Sequence, residues 1–193
     1  MHDFIGLFIG AFLVQNIVLA SFLGICPLLG VSKKQTSAFG MGAAVVFVTM
    51  TASAITFAIY HSILVDFNLQ FMRTIVFILV IASFVQLVEM FIKKLMPSLY
   101  KSLGIFLPLM TTNCAIVGAV LINIDRRFSF GEAMVNAFGT SAGFLLIIYV
   151  FATIRERLEL SSNIPKGFKG VPIALLVVGL MSIAFSGFSG MGS

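Results

Sequence analysis

Charged residues cut this chain into six apolar stretches. Phe4–Ser32 and Gln35–Val65 contain no Asp, Glu, Lys or Arg. Thr74–Ile92 contains only Glu89, and Ser102–Ile124, Ala133–Ile154 and Gly170–Ser193 again contain none. A hydrocarbon core about 30 Å thick is crossed by roughly 20 apolar residues of helix, so each stretch is long enough to span. Hydrophobicity is near-continuous, without the alternation of barrel strands, and in lipid only helices or closed barrels satisfy their own backbones. The pattern predicts an all-α membrane protein: six transmembrane helices in a single integral membrane domain, residues 1–193.

The polar breaks between stretches set the orientation. Breaks after spans 1, 3 and 5 hold Lys33, Lys34, Lys93, Lys94, Lys101, Arg155, Arg157, Lys166 and Lys169, nine basic residues. The opposite side holds three, Arg73, Arg126 and Arg127. Basic loops stay on the cytoplasmic side, so both termini are predicted outside. With three spans before Lys93-Lys94 and three after, the halves (about 1–92 and 93–193) enter the membrane from opposite sides. A faint likeness joins them: Gln15-Asn16-Ile17-Val18 in span 1 and Thr112-Asn113-Cys114-Ala115 in span 4. Proline and glycine also interrupt both spans, as in inverted-repeat membrane proteins with a site near the midplane.

Composition narrows the function. The 193 residues are 60% hydrophobic and 10% charged, against about a quarter charged in soluble domains. No soluble catalytic domain fits between the spans. The net charge of +5 sits in the loops, so it reports membrane orientation and not nucleic-acid binding. Met1-His2-Asp3 lacks the basic start of a cleaved signal, so the first apolar stretch is expected to remain as a helix. There is no Walker motif, GxGxxG, CxxC ladder or Ser/His/Asp set.

The candidate chemistry is two cysteines. Cys26 lies among Gly24, Pro27 and Gly30, and Cys114 follows Gly104, Pro108 and Thr111-Thr112-Asn113. Proline removes a backbone donor and clashes with the preceding turn, so breaks are expected at these places. Freed backbone groups in lipid then need protein or a cofactor. Pro and Gly also occur in membrane helices as packing devices, and buried cysteine is often a small inert hydrophobe. Against that stands coordination chemistry: a [2Fe–2S] cluster takes four thiolates, so two here would require two from a partner. His2 and His61 lie at or beyond the outer boundary.

The remaining polar groups have ordinary uses. Glu89 precedes Lys93 by one turn and reads as an anchor pair before a proton relay. Glu132 suits the positive end of span 5, with Arg155 and Arg157 at its negative end. Gln15, Asn16, Gln86, Thr112 and Asn113 can bond between helices or donate to a cluster's sulfurs. Gly6-x-x-x-Gly10 and Gly139-x-x-x-Gly143 permit close helix contact. No carboxylate-lined ion path is visible.

Two long segments resemble the RnfA (RsxA) family, a membrane component of the Rnf ion-translocating electron-transport complex. They are Asn16-Ile-Val-Leu-Ala-Ser-Phe-Leu-Gly-Ile-Cys-Pro-Leu-Leu-Gly-Val-Ser-Lys-Lys34 and Leu103-Gly-Ile-Phe-Leu-Pro-Leu-Met-Thr-Thr-Asn-Cys-Ala-Ile-Val-Gly118. Ile154-Arg-Glu-Arg157 and Gly179-Leu-Met-Ser-Ile-Ala-Phe-Ser-Gly-Phe-Ser-Gly190 also fit. The sister family, NqrE of the sodium-pumping NADH:quinone reductase, is close, and a small permease or scaffold with incidental cysteines is the alternative of another class. The resemblance implies that Cys26 and Cys114 each ligate a [2Fe–2S] cluster shared with an RnfE-like homologue inserted in the opposite orientation. It further implies partnership with the B, C, D and G components of the complex, location in the cell inner (cytoplasmic) membrane, and coupling of ferredoxin:NAD⁺ electron transfer to Na⁺ or H⁺ movement.

Overall fold

The computed structural model describes residues 2–32, 35–64, 72–95, 113–160 and 170–189, and among them every regular element is helical. In chain order these are α1 (His2–Ile9), α2 (Ile17–Ser21), α3 (Ile25–Val31), α4 (Gln35–Ile59), α5 (Arg73–Leu95), α6 (Cys114–Asp125), α7 (Phe130–Leu160) and α8 (Val171–Ser189). Wide π-type turns extend α1 over Gly10–Val14 and α4 over Tyr60–Leu64. Among the described residues, three segments are long and apolar enough to cross a membrane: Gln35–Ser62, Arg73–Phe91 and Phe130–Leu158. The shorter apolar helices Phe4–Val14, Cys114–Asp125 and Val171–Gly187 fall in the predicted first, fourth and sixth spans. The predicted fourth and sixth spans extend beyond the described residues.

The first span is broken twice, once at Gly24, where the Gly24–Pro27 cluster pointed, and once upstream of it. One break is at Gln15-Asn16 and the second at Phe22–Gly24, where Phe22 (φ 54°) and Gly24 (φ 92°) both turn left-handed. Pro27 instead sits buried in the first turn of α3. There its missing N–H is no loss, because the first-turn donors have no intrahelical acceptor. Gly24 makes the turn possible and also permits close packing. A Cβ on it would stand 2.8 Å from the Phe144 ring and 3.2 Å from the Ala115 Cβ. The second expected break, at Gly104 and Pro108, lies outside the described residues.

Pairs of touching residues give the helix directions. Phe4 lies over Gly131, Phe8 stacks on Phe138 at 5.8 Å, and the Phe12 carbonyl abuts Gly143. Both numbers rise together, so α1 runs parallel to α7. Phe57 meets Phe130 at 5.5 Å while Gly42 meets Leu145, so α4 runs antiparallel to α7. Gln15 bonds Arg126, Ile17 and Leu23 cover Gly118, and Gly24 touches Ala115. The broken first span is therefore antiparallel to α6.

The α7 glycines behave as their spacing predicts. A Cβ on Gly139 would lie 3.1 Å from the Phe8 carbonyl, and one on Gly143 only 2.7 Å from that of Phe12. Backbone thus approaches backbone along the α1–α7 seam. Gly6 and Gly10 face open space instead. The core is sealed by Phe77, Phe144, Phe151, Ile17, Leu28, Met41, Ile81 and Ile116. Among the described side chains of α5 the stripe Phe77, Ile81, Val85 is buried, while Ile75, Leu79, Leu87, Met90 and Phe91 are exposed. A helix apolar all round with one packed stripe suits a lipid surface.

Candidate metal centre

Asparagine starts the two short helices the sequence paired. Asn16 caps α2, its Oδ1 accepting from Val18 N at 3.2 Å; Asn113 caps α6, its Oδ1 accepting from Ala115 N at 3.0 Å. An Asn cap satisfies one of the four orphan donors at a helix start. The two amides differ beyond the cap. The Asn16 Nδ2 donates to the Phe12 carbonyl at 3.1 Å, whereas Asn113 Nδ2 is buried without a partner among the described residues.

The Phe22–Gly24 turn docks on α6 and brings the cysteine segments together. Gly24 N donates to Cys114 Sγ at 2.9 Å. Cys114 is the first residue of α6 and Cys26 the second of α3. With two peptide units between Gly24 and Cys26, the Cys114 sulfur is no more than about 12 Å from the Cys26 Cα. Both thiols are free; Cys114 is half-buried and Cys26 exposed. Each stands on a first helical turn, where free N–H groups and the helix dipole favour negative charge.

The far end of α3 is also tied. Arg155, 7% exposed, donates through Nη1 to the Leu29 carbonyl and to Ser32 Oγ, both at 2.9 Å. The sequence placed Arg155 in a basic loop closing span 5. It lies within α7 and reaches back to another helix, because the carbonyls ending α3 need donors that α3 cannot supply. Glu132 does what its position suggested: its Oε2 accepts from Ser129 N at 2.8 Å and Ser129 Oγ at 2.9 Å, closing the start of α7.

A second polar cluster escaped the sequence reading. Asn123 Nδ2 donates to Ser53 Oγ (3.3 Å) and the Ala133 carbonyl (3.2 Å), and Asn136 Nδ2 donates to Asn123 Oδ1 (2.7 Å). All three side chains are buried. Asn123 also lines a cavity of about 440 Å³ with Tyr60, His61, Arg73, Asp125 and Arg127. The signal was available: amides in apolar stretches, on either side of the Asp125-Arg126-Arg127 loop. Gln86, a possible inter-helix bridge by its position in span 3, is exposed on α5.

Among the described residues, no three or more His, Cys, Asp or Glu side chains converge. Two thiols are half the number that a four-thiolate site takes, and Cys26 is exposed.

The family described as "Rnf-Nqr subunit, membrane protein" matches residues 4–192. The chain belongs to the Rnf-Nqr family. Its relatives include the A subunit of the Na(+)-translocating ferredoxin:NAD(+) oxidoreductase complex of Acetobacterium woodii, 57% identical over 95% of each chain. The A subunits of the ion-translocating oxidoreductase complexes of Proteus mirabilis and Syntrophotalea carbinolica are 51% and 50% identical, over 99% of this chain and 98% of theirs. As an Rnf-Nqr protein with several long apolar helices, the chain is a multi-pass membrane protein.

Proposed function

We propose that this Rnf-Nqr protein is the A-type membrane component of an ion-translocating ferredoxin:NAD⁺ oxidoreductase, and that Cys26 and Cys114 form half of an intramembrane [2Fe–2S] site. The reading is supported by near full-length similarity to proteins named as the A subunits of such complexes. The observation that carries the site is the Gly24–Cys114 hydrogen bond, which joins two cysteine segments 90 residues apart. A permease with incidental thiols gives no reason for both to stand on helix starts that meet. Antiparallel packing of the first span against α6 supports two inverted halves, each contributing one thiol. The remaining two thiolates come from an RnfE-like homologue in the opposite orientation, which approaches the exposed Cys26 side.

A bound cluster supplies one-electron chemistry inside a hydrocarbon slab that otherwise insulates. The chain's own part is to hold and orient. Gly24 N fixes the Cys114 sulfur, the left-handed Phe22–Gly24 turn aims α3, and Arg155 anchors its other end. Catalysis on ferredoxin and NAD⁺ resides in other components of the complex. Both termini face the outer side of the cytoplasmic membrane, a reading that the distribution of basic residues supports.

The test is iron, acid-labile sulfide and the reduced-state paramagnetic spectrum of the purified complex, with Cys26→Ser and Cys114→Ser alongside. Each substitution is expected to remove the same cluster's two irons and its spectral signal while the complex still assembles. Unchanged iron and signal in both variants would overturn the assignment.

A further inference from the structure

Asn113 carries a feature that its helix cap does not explain. Its Oδ1 is engaged with Ala115 N at 3.0 Å, which sets the plane of the amide over the first turn of α6. The other end of that amide, Nδ2, is buried with no acceptor among the described residues, in a side chain 2% exposed. Buried polar atoms are almost always paired, and an orphan calls for a missing partner. The comparison inside the molecule is Asn16, which makes the same cap and gives its Nδ2 to the Phe12 carbonyl. One cap is complete; the other has a donor to spare. The spare donor is on the residue preceding Cys114, whose sulfur already accepts from Gly24 N.

We infer that Asn113 Nδ2 donates a hydrogen bond to the sulfur of the group bound at Cys114, and so is a positioning residue that raises that group's reduction potential. The inference rests on the proposed cluster site. A reduced cluster carries one more negative charge than an oxidised one, so a fixed donor at its sulfur favours reduction; hydrogen bonds to sulfur are a recognised control of cluster potential. Cap and donor are separable because they use different atoms. Asn113→Ser keeps a cap oxygen but shortens the side chain and removes the amide. Asn113→Asp keeps the cap, removes the donor and adds an acid.

The measurement is a redox titration of the assembled complex, followed by paramagnetic resonance, for wild type, Asn113→Ser, Asn113→Asp and Asn16→Ser. Loss of a charge-assisted hydrogen bond is expected to lower the reduction equilibrium constant about tenfold, or about 59 mV for a one-electron couple. Asn113→Ser and Asn113→Asp move the midpoint to lower potential, and Asn16→Ser leaves it in place. In wild type, heavy-nitrogen labelling of the asparagine side-chain amide converts a nitrogen coupling in the cluster spectrum from the spin-1 to the spin-one-half isotope, and the Asn113 variants lose it. An unmoved midpoint in the Asn113 variants, or an equal shift in Asn16→Ser, overturns the inference. So does a wild-type spectrum without amide coupling, which needs no variant to fold. A wild-type complex with no cluster spectrum instead refutes the underlying site.

Discussion

Replacing Arg155 with methionine keeps an unbranched apolar stem in α7 and deletes the guanidinium that holds the end of α3. In the wild type Nη1 donates to the Leu29 carbonyl and to Ser32 Oγ, each at 2.9 Å, from a side chain 7% exposed. A hydrogen bond from a charged donor contributes about 1.5–3 kcal/mol, and an orphaned buried acceptor costs about 1–3 kcal/mol. Part of this is offset because the buried charge no longer has to be desolvated. The expected net loss is about 2–4 kcal/mol. Arg155→Lys, with charge but no planar fork, is expected to recover about half. Denaturant titration of the detergent-purified protein, read by helical circular dichroism, gives the loss. The maleimide labelling rate of Cys26, three residues before Leu29, reports whether α3 itself has loosened. A methionine variant that unfolds with the wild type and labels at the same rate refutes the view that Arg155 anchors the Cys26 helix.

Other outcomes follow from the same packing. Gly143→Ala places a Cβ 2.7 Å from the Phe12 carbonyl and is expected to cost about 1–3 kcal/mol by overpacking. Gly6→Ala, in open space, is expected within about 0.5 kcal/mol of wild type; the two melting curves side by side check this. Asn123→Ala removes the acceptor of Asn136 Nδ2 at 2.7 Å and is expected to cost about 1–3 kcal/mol. Adding Asn136→Ala to it should cost less than the sum of the single changes, which a double-mutant cycle measures. Gly24→Ala combines φ 92° with a 2.8 Å approach to Phe144, so both thermal stability and assembly of the complex are expected to fall, with Leu23→Ala milder.

What could be read from sequence divides by the range of the interaction. Apolar stretches and their charged boundaries are local, so the helices α4, α5 and α7 fall where the charge pattern put them. Glu132 is local too and marks the start of α7, whereas Asn16 and Asn113, which read as inter-helix or sulfur donors, cap helices. The close seam of Gly139 and Gly143 matches their spacing, but the same spacing at Gly6 and Gly10 faces open space, so spacing alone did not pick out the seam. The break at Gly24 was legible, while the one at Gln15-Asn16 was not. Proline at a first helical turn and proline at a kink read alike in sequence, and only the left-handed Phe22 and Gly24 tell them apart. Long-range polar contacts were not legible. Arg155 read as a loop cation because the carbonyl it serves is 126 residues away. The Asn123–Asn136–Ser53 cluster likewise depends on which helix faces come together. The family resemblance carried the cysteines further than their spacing could, since neither motif alone distinguishes a ligand from a small buried thiol.

The decisive measurement is a density map of the intact membrane complex with iron located by anomalous scattering or by its own density. Two iron atoms are expected, bound by the sulfurs of Cys26 and Cys114 on one side and by two thiolates of a neighbouring protein on the other. A map in which these two sulfurs face only lipid or protein, with no metal between them and any neighbour, would contradict the account.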